Sequence, residues 1–110
     1  MIRNGVIRGF ASSGFTFIAE LTLASGRRAD LIGLNDKGEI ATIEIKSSIE
    51  DYNADSKWPD YLDHCDQFYF ATHPEVSETI FPEAHGLIVA DHYGCEILRP
   101  AMVEKLAAPR

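Results

Sequence analysis

Two glycine-ended turns constrain this chain more than any other feature. Ala24-Ser25-Gly26 and Asp36-Lys37-Gly38 separate three consecutive segments of strand character. Phe15, Phe17, Ala19, Leu21 and Leu23 alternate with Thr16, Ile18, Glu20 and Thr22, a period of two that makes 15–23 a strand with one apolar face. Residues 27–34 and 39–46 follow as second and third strands, giving an antiparallel meander. A three-residue hairpin loop built on a type I turn ends in a left-handed residue, usually glycine. Each loop therefore sets a register: Leu23 closes on Arg27 and Asn35 on Glu39. Carried along the strands, this pairing puts Glu20 opposite Asp30 and Asp30 opposite Glu44. Directly opposed side chains share a face, so the three acids are expected in a row, with Lys46 on the same face beyond Glu44.

Outside the meander the period is helical. Ile2, Val6, Ile7 and Phe10 predict a first helix within 2–13. After Lys46 a polar, acidic connection over 47–55 carries a capping-box pattern, Ser47-x-x-Glu50. Trp58, Tyr61, Leu62 and Cys65 then predict an amphipathic helix over 56–66, with Pro59 tolerated in its first turn. Strands follow at 67–71, 86–91 and 95–98, the last two as a C-terminal hairpin, with a short helix between Pro74 and Phe81, while the final dozen residues are expected to form a last short helix or to fray. The expected fold class is α/β: a mixed β-sheet containing the three-strand meander, flanked by helices and completed by the hairpin. One domain spans 1–110, an ordinary size for a single core.

Charge and cysteine usage narrow the function. The chain carries a net −7, but unevenly: residues 1–46 are +1, 47–96 are −10 and 97–110 are +2. A broad basic groove for nucleic acid is therefore missing, while a local site in the first half is not. No apolar run approaches the roughly 18 residues of a membrane span, and the start lacks the apolar core of a secretory signal. Cys65 and Cys95 form no C-x-x-C pair, so neither a disulfide scaffold nor a zinc ribbon is expected. A cytoplasmic location fits this usage.

The acids carry the chemistry. Like charges opposed on a sheet destabilise it by about 0.2–1 kcal/mol per pair, so a row of three needs a cation. Lys46 supplies one charge, and oxygen ligands in this arrangement suit a hard divalent ion, Mg²⁺ or Mn²⁺. Such an ion beside a lysine is equipment for phosphodiester hydrolysis: it lowers the pKa of a bound water and neutralises phosphoryl charge, while the ammonium orients water or stabilises the transition state.

These residues carry a resemblance. Arg28-Ala29-Asp30, then Ile43-Glu44-Ile45-Lys46, resembles the PD-(D/E)xK nuclease superfamily, with Ala29 standing where its name has proline. More narrowly, Gly26-Arg-Arg-Ala-Asp-Leu31, Ile43-Glu-Ile-Lys-Ser-Ser48 and Lys57-Trp-Pro-Asp-Tyr61 resemble the MmcB-type DNA-repair proteins. The resemblance implies a restriction-endonuclease-like αβββαβ core and a magnesium-dependent deoxyribonuclease, a hydrolase working in DNA repair. It implies Asp30 and Glu44 as metal ligands with the Ile45 carbonyl as a third, Lys46 as the catalytic lysine, and Glu20 as an auxiliary acid. Phosphate contacts would come from Arg28 and Lys57, with Arg27, Arg3 and Arg8 also available. The competing reading is a catalytically silent accessory of a repair complex, acting through protein contacts of the acidic segment 47–66. A homodimer, or a repair-protein partner, would supply the groove one chain lacks.

The remaining features have plainer readings. Arg27 and Arg28 blunt a strand end as readily as they contact DNA. Trp58, Tyr61, Phe68 and Phe70 follow core periodicity, and Cys65 reads as a small core residue. His64, His73, His85 and His92 have no ligand spacing and read as surface or capping residues.

Overall fold

Strand pairing follows the registers that the loops predict. In a computed structural model, which describes residues 2–10, 13–22 and 28–103, helix α1 (Ile2–Gly9) precedes strands β1 (Thr16–Thr22), β2 (Arg28–Leu34) and β3 (Ile40–Ile45). Antiparallel β2 and β3 pair Leu31 with Ile43 and Leu34 with Ile40. Antiparallel β1 and β2 pair Ala19 with Leu31 and Leu21 with Ala29. The turn at 24–26 and Arg27 lie outside the described residues. At the other loop the Asn35 side chain accepts from the Lys37 and Glu39 amides, and Gly38 has φ +78, a left-handed conformation that glycine adopts without strain.

Beyond Lys46 come α2 (Ile49–Ala54), β4 (Gln67–Thr72), β5 (Gly86–Ala90) and β6 (Cys95–Arg99). The six strands form one mixed sheet in the order β1-β2-β3-β4-β5-β6, with β4 parallel to both β3 and β5, and β6 antiparallel to β5. None of the described helices is long and apolar enough to cross a membrane.

Each face of the sheet has its own core. On one, Ile2, Val6 and Phe10 of the α1 region pack against Leu31, Ile43, Tyr69, Ala71 and Ile88. On the other, Ile32, Phe68, Phe70 and Leu87 meet Tyr61, Cys65 and Phe81. Trp58 stacks on Phe68 at 5.6 Å and meets Phe70 edge-on at 5.0 Å, as core residues do. Asp66 closes the start of the parallel pair: its carboxylate accepts from the Ile40 amide at 2.8 Å and its own amide donates to the Ile40 carbonyl.

The segment after Lys46 departs from the expected helix over 56–66. The α-helical turn falls earlier, in the stretch expected to be a connection, because Ser48 and not Ser47 is its cap. Ser48 Oγ accepts from the Asp51 amide at 3.0 Å, and the Asp51 carboxylate accepts from the Ser47 amide at 3.0 Å. Residues Trp58–His64 instead form a 3-10 helix with Pro59 in its first turn, where the missing N–H costs nothing. The expected helix at 74–81 shrinks to a single 3-10 turn, Glu78–Ile80, capped by Ser77. Most of the final dozen residues, expected as a short helix or frayed end, lie outside those described.

Helix α1 docks through glycine. A Cβ on Gly5 would collide with the carbonyl oxygen of Asp91 and lie 2.8 Å from that of Gly94, both backbone atoms of the β5–β6 turn. In an isolated helix alanine is better than glycine by about 1 kcal/mol. Here Gly5→Ala is expected to destabilise by about 1–3 kcal/mol in denaturant unfolding, since the backbone must shift to accept it. A stabilised variant would mean that α1 does not sit this close.

Candidate active site

The β2–β3 ladder stops at Leu31–Ile43, one residue short of the acids. Beyond it the carboxylates take over from backbone carbonyls. The Asp30 amide donates to Glu44 Oε2 at 3.0 Å, and the Ile45 amide donates to Asp30 Oδ2 at 2.8 Å. The strand is distorted at this point: Ala29 and Leu31, two residues apart, belong to cores on opposite faces. Irregularities of this kind re-aim side chains next to functional sites.

The opposite position on β1 is distorted as well. Glu20 has φ +58, a left-handed conformation rare for a residue with a side chain, and it drops out of the ladder between two regular pairs. Its carboxylate is exposed and lies 3.6 Å from the Arg3 guanidinium of α1. The expected row of three acids is therefore a pair, Asp30 with Glu44, and Glu20 faces Arg3 instead.

Burial sets the electrostatics of that pair. Glu44 is 3% exposed, and its pKa is pushed up to about 7, first by burial and then by the negative charge of Asp30. Burial also raises Asp30, against the Ile45 hydrogen bond and the charges of Lys46 and Arg3. Lys46 is buried too, with its ammonium 2.8 Å from Asp55 Oδ2 just past the end of α2. Burial alone would depress its pKa, but the Asp55 bond and charge more than offset this, so Lys46 lies above the ordinary lysine value.

Strand β4 holds the lysine's backbone. The Lys46 amide donates to Ala71 O at 2.9 Å, and Thr72 Oγ1 donates to Lys46 O at 2.7 Å. One residue further, His73 Nε2 lies 2.9 Å from Ser47 O while its Nδ1 accepts from the Glu75 amide. That arrangement requires a neutral ring carrying its proton on Nε2.

A cleft of about 610 Å³ opens beside Asp30, lined by Ile2, Arg3, Asn4, Ile45, Ser47 and His73. The other expected phosphate contacts lie elsewhere. Arg28 is exposed, its carbonyl held by Tyr61 Oη at 2.9 Å. Lys57 is exposed beside a shallow depression formed with Asp51, Ala54, Asp55 and Ser56. Neither lines the cleft at Asp30.

The donor set is compatible with a hard divalent ion. Each carboxylate commits one oxygen to a backbone amide, and among the described residues no hydrogen bond occupies Asp30 Oδ1 or Glu44 Oε1. Among the described residues no three His, Cys, Asp or Glu side chains converge. Two carboxylates and a backbone carbonyl suit Mg²⁺ or Mn²⁺, which keep several waters, and do not suit a closed zinc site.

Sequence reasoning missed Asp55 as the partner of Lys46, and the clamps from Thr72 and His73. No periodicity or spacing points to any of them, because each acts across elements.

The comparisons bear on this geometry. A family model described as "DNA repair protein MmcB-like" matches residues 1–110. A solved structure of a protein of unknown function from Silicibacter pomeroyi is 42% identical, with a TM-score of 0.93 over 97% of this chain and 73% of that one. A repair endonuclease from Pyrococcus abyssi is 20% identical, with a TM-score of 0.42 over 63% of this chain and 35% of that one, too distant to speak to fold. No curated protein matches the sequence. With the family model spanning its whole length, the chain belongs to the MmcB-like family of DNA repair proteins.

Proposed function

We propose that this chain is a metal-dependent, nuclease-like protein of the PD-(D/E)xK kind that hydrolyses phosphodiester bonds in DNA repair. One observation carries the reading: Asp30 and Glu44 are held together by reciprocal bonds to each other's strands, with a buried ammonium beside them. Asp30, Glu44 and the Ile45 carbonyl would hold Mg²⁺ or Mn²⁺. A bound ion supplies a water of lowered pKa and offsets charge on the phosphoryl oxygens.

The chain's own residues do the rest. Asp30 fixes the Ile45 peptide through its amide and so presents the segment on which Glu44 and Lys46 sit. Burial and the charge of Asp30 push the Glu44 carboxyl up to about 7, so a cation held there would favour its charged form. Asp55 holds the Lys46 ammonium in its charged form, able to orient water or stabilise negative charge.

Thermal unfolding with and without Mn²⁺, on the wild type and on Asp30→Ala, tests the site. At metal near 100 times its dissociation constant the wild type should gain about 2.7 kcal/mol, a shift of several degrees, and the variant should gain nothing. Equal shifts in both proteins, or none in either at millimolar Mn²⁺, would sink the metal reading. Nicking of DNA by the wild type but not by Lys46→Met would then identify the chemistry.

One observation favours a second reading, a catalytically silent accessory acting through protein contacts. The Lys46 ammonium is already occupied by Asp55, an ion pair that stabilises the fold without any substrate. A preserved Mn²⁺ shift with no cleavage of any DNA form would favour this alternative.

A further inference from the structure

We propose that the outer stripe of α1 is the track for a single nucleic-acid strand, and that Glu20 occupies the place of one of its phosphates until the strand arrives. This rests on the proposed function for its ligand class, a phosphodiester backbone, but not on catalysis.

Three observations converge on it. The first is composition: α1 contains two arginines and no acid, in a chain of net charge −7. The helix buries Ile2, Gly5 and Val6 against the sheet and exposes Arg3, Asn4, Ile7 and Arg8. Arg3 and Ile7, like Asn4 and Arg8, are one turn apart, so the two arginines stand at the two edges of the exposed face, about 140° apart around the axis and about 7.5 Å along it.

The second is position. The first turn of α1 forms a wall of the cleft at Asp30, with Arg3 and Asn4 lining it. A strand lying along this face would therefore deliver its backbone to Asp30, the member of the carboxylate pair that lines the cleft. Arg28 and Lys57 line no part of that cleft.

The third is the conformation of Glu20. A left-handed φ at a non-glycine residue persists only where surrounding structure maintains it, and here it takes the carboxylate out of the sheet and sets it 3.6 Å from Arg3. Both partners are about half exposed, so the ion pair is weak and easily exchanged. A phosphate approaching Arg3 replaces one anion by another, and the strand that carries it can place a further phosphate at Arg8.

The occupant is one strand and not a duplex. Two arginines neutralise two phosphates at most, and the remaining surface, −10 over residues 47–96, would repel the second strand of a wide duplex.

Fluorescence anisotropy with a short labelled oligodeoxythymidine, in EDTA and at two salt concentrations, tests this. Arg3→Ala and Arg8→Ala should each weaken binding several-fold and flatten the dependence of log K on log salt by about 0.7. Glu20→Gln should tighten binding several-fold, because it removes the competitor and keeps the side chain's size. Lys37→Ala, at the hairpin tip remote from the cleft, should bind as the wild type does. Glu20→Gln guards against a folding artefact, since a damaged protein does not bind more tightly. The proposal is overturned if the oligonucleotide does not bind, or if Glu20→Gln and Arg3→Ala both bind as the wild type does. Because EDTA removes any metal, the arginine effects without a Mn²⁺ stability shift would keep this track and discard the nuclease. A Mn²⁺ shift without the arginine effects would do the reverse.

Discussion

Replacing Lys46 by methionine is expected to cost about 3–5 kcal/mol at pH 8, the penalty for leaving buried charge uncompensated. The reason lies in what surrounds its ammonium. Asp55 is 2.8 Å away, and the charges of Glu44 and Asp51 also act on it. Methionine fills the volume of the stem but leaves those carboxylates facing one another. The reciprocal change, Asp55→Asn, should cost only about 1–2 kcal/mol, because the ammonium keeps Glu44 nearby and a neutral acceptor in place of Asp55. The measurement is urea unfolding of both variants at pH 8 and pH 5. The loss in Lys46→Met should shrink at pH 5, where Glu44 takes up a proton. Equal losses for the two variants would mean that the ion pair acts alone, without the carboxylates behind it.

Glu44→Gln is expected to stabilise the metal-free protein at pH 8 by about 3 kcal/mol, the equivalent of raising a carboxyl from its ordinary value of 4.5 to about 7. The sign follows from proton binding. Between those two pH values the folded protein holds the Glu44 proton and the unfolded chain has lost it, so stability falls as pH rises, and above about 7 the full cost is present. The raised pKa of Asp30 acts in the same direction. Glutamine is neutral throughout, and its carbonyl oxygen can still accept from the Asp30 amide. The wild type measured in EDTA should therefore melt at lower temperature at pH 8 than at pH 5, by roughly ten degrees, and Glu44→Gln should largely remove that difference. Mn²⁺ at pH 8 should restore the wild type and leave the variant where it was. A wild type with equal stability at pH 5 and pH 8 in EDTA would show that Glu44 is ionised at no cost, and the case for a missing cation would collapse.

Of the residues in these predictions, Glu44 and Lys46 were legible in the chain from turn register and motif together, and Asp55 was not. Asp30 and Glu44 stand on strands whose register follows from turn chemistry, and Lys46 follows directly on the second of them. A left-handed glycine closing a three-residue loop admits essentially one pairing, and a slip by one residue would turn Leu31 and Ile43 away from the core they share. The aromatic core was equally legible, because Phe68 and Phe70 recur at strand spacing and Tyr61 and Cys65 at helical spacing.

The helices after Lys46 were less so. The capping-box pattern pointed to Ser47, but Ser48 takes the place, since its hydroxyl accepts from the Asp51 amide while the Asp51 side chain reaches back to the Ser47 amide. Pro59 then marked a helical start, but nothing local distinguished an α-helix from the 3-10 helix that forms.

What the sequence by itself determined is thus the meander, its register and the identity of the acids brought to one end of it. Those properties depend on contacts between neighbours in the chain, through φ preferences at glycine and the alternation of strand faces. What only the tertiary structure decided is how the acids are used. The ladder ends where Asp30 and Glu44 capture backbone amides, Glu20 leaves the row for an arginine on α1, and Lys46 takes its partner from the end of α2. Each outcome is a competition among polar groups brought together from distant parts of the chain. It is settled by which charges are buried together, a quantity that no local pattern contains.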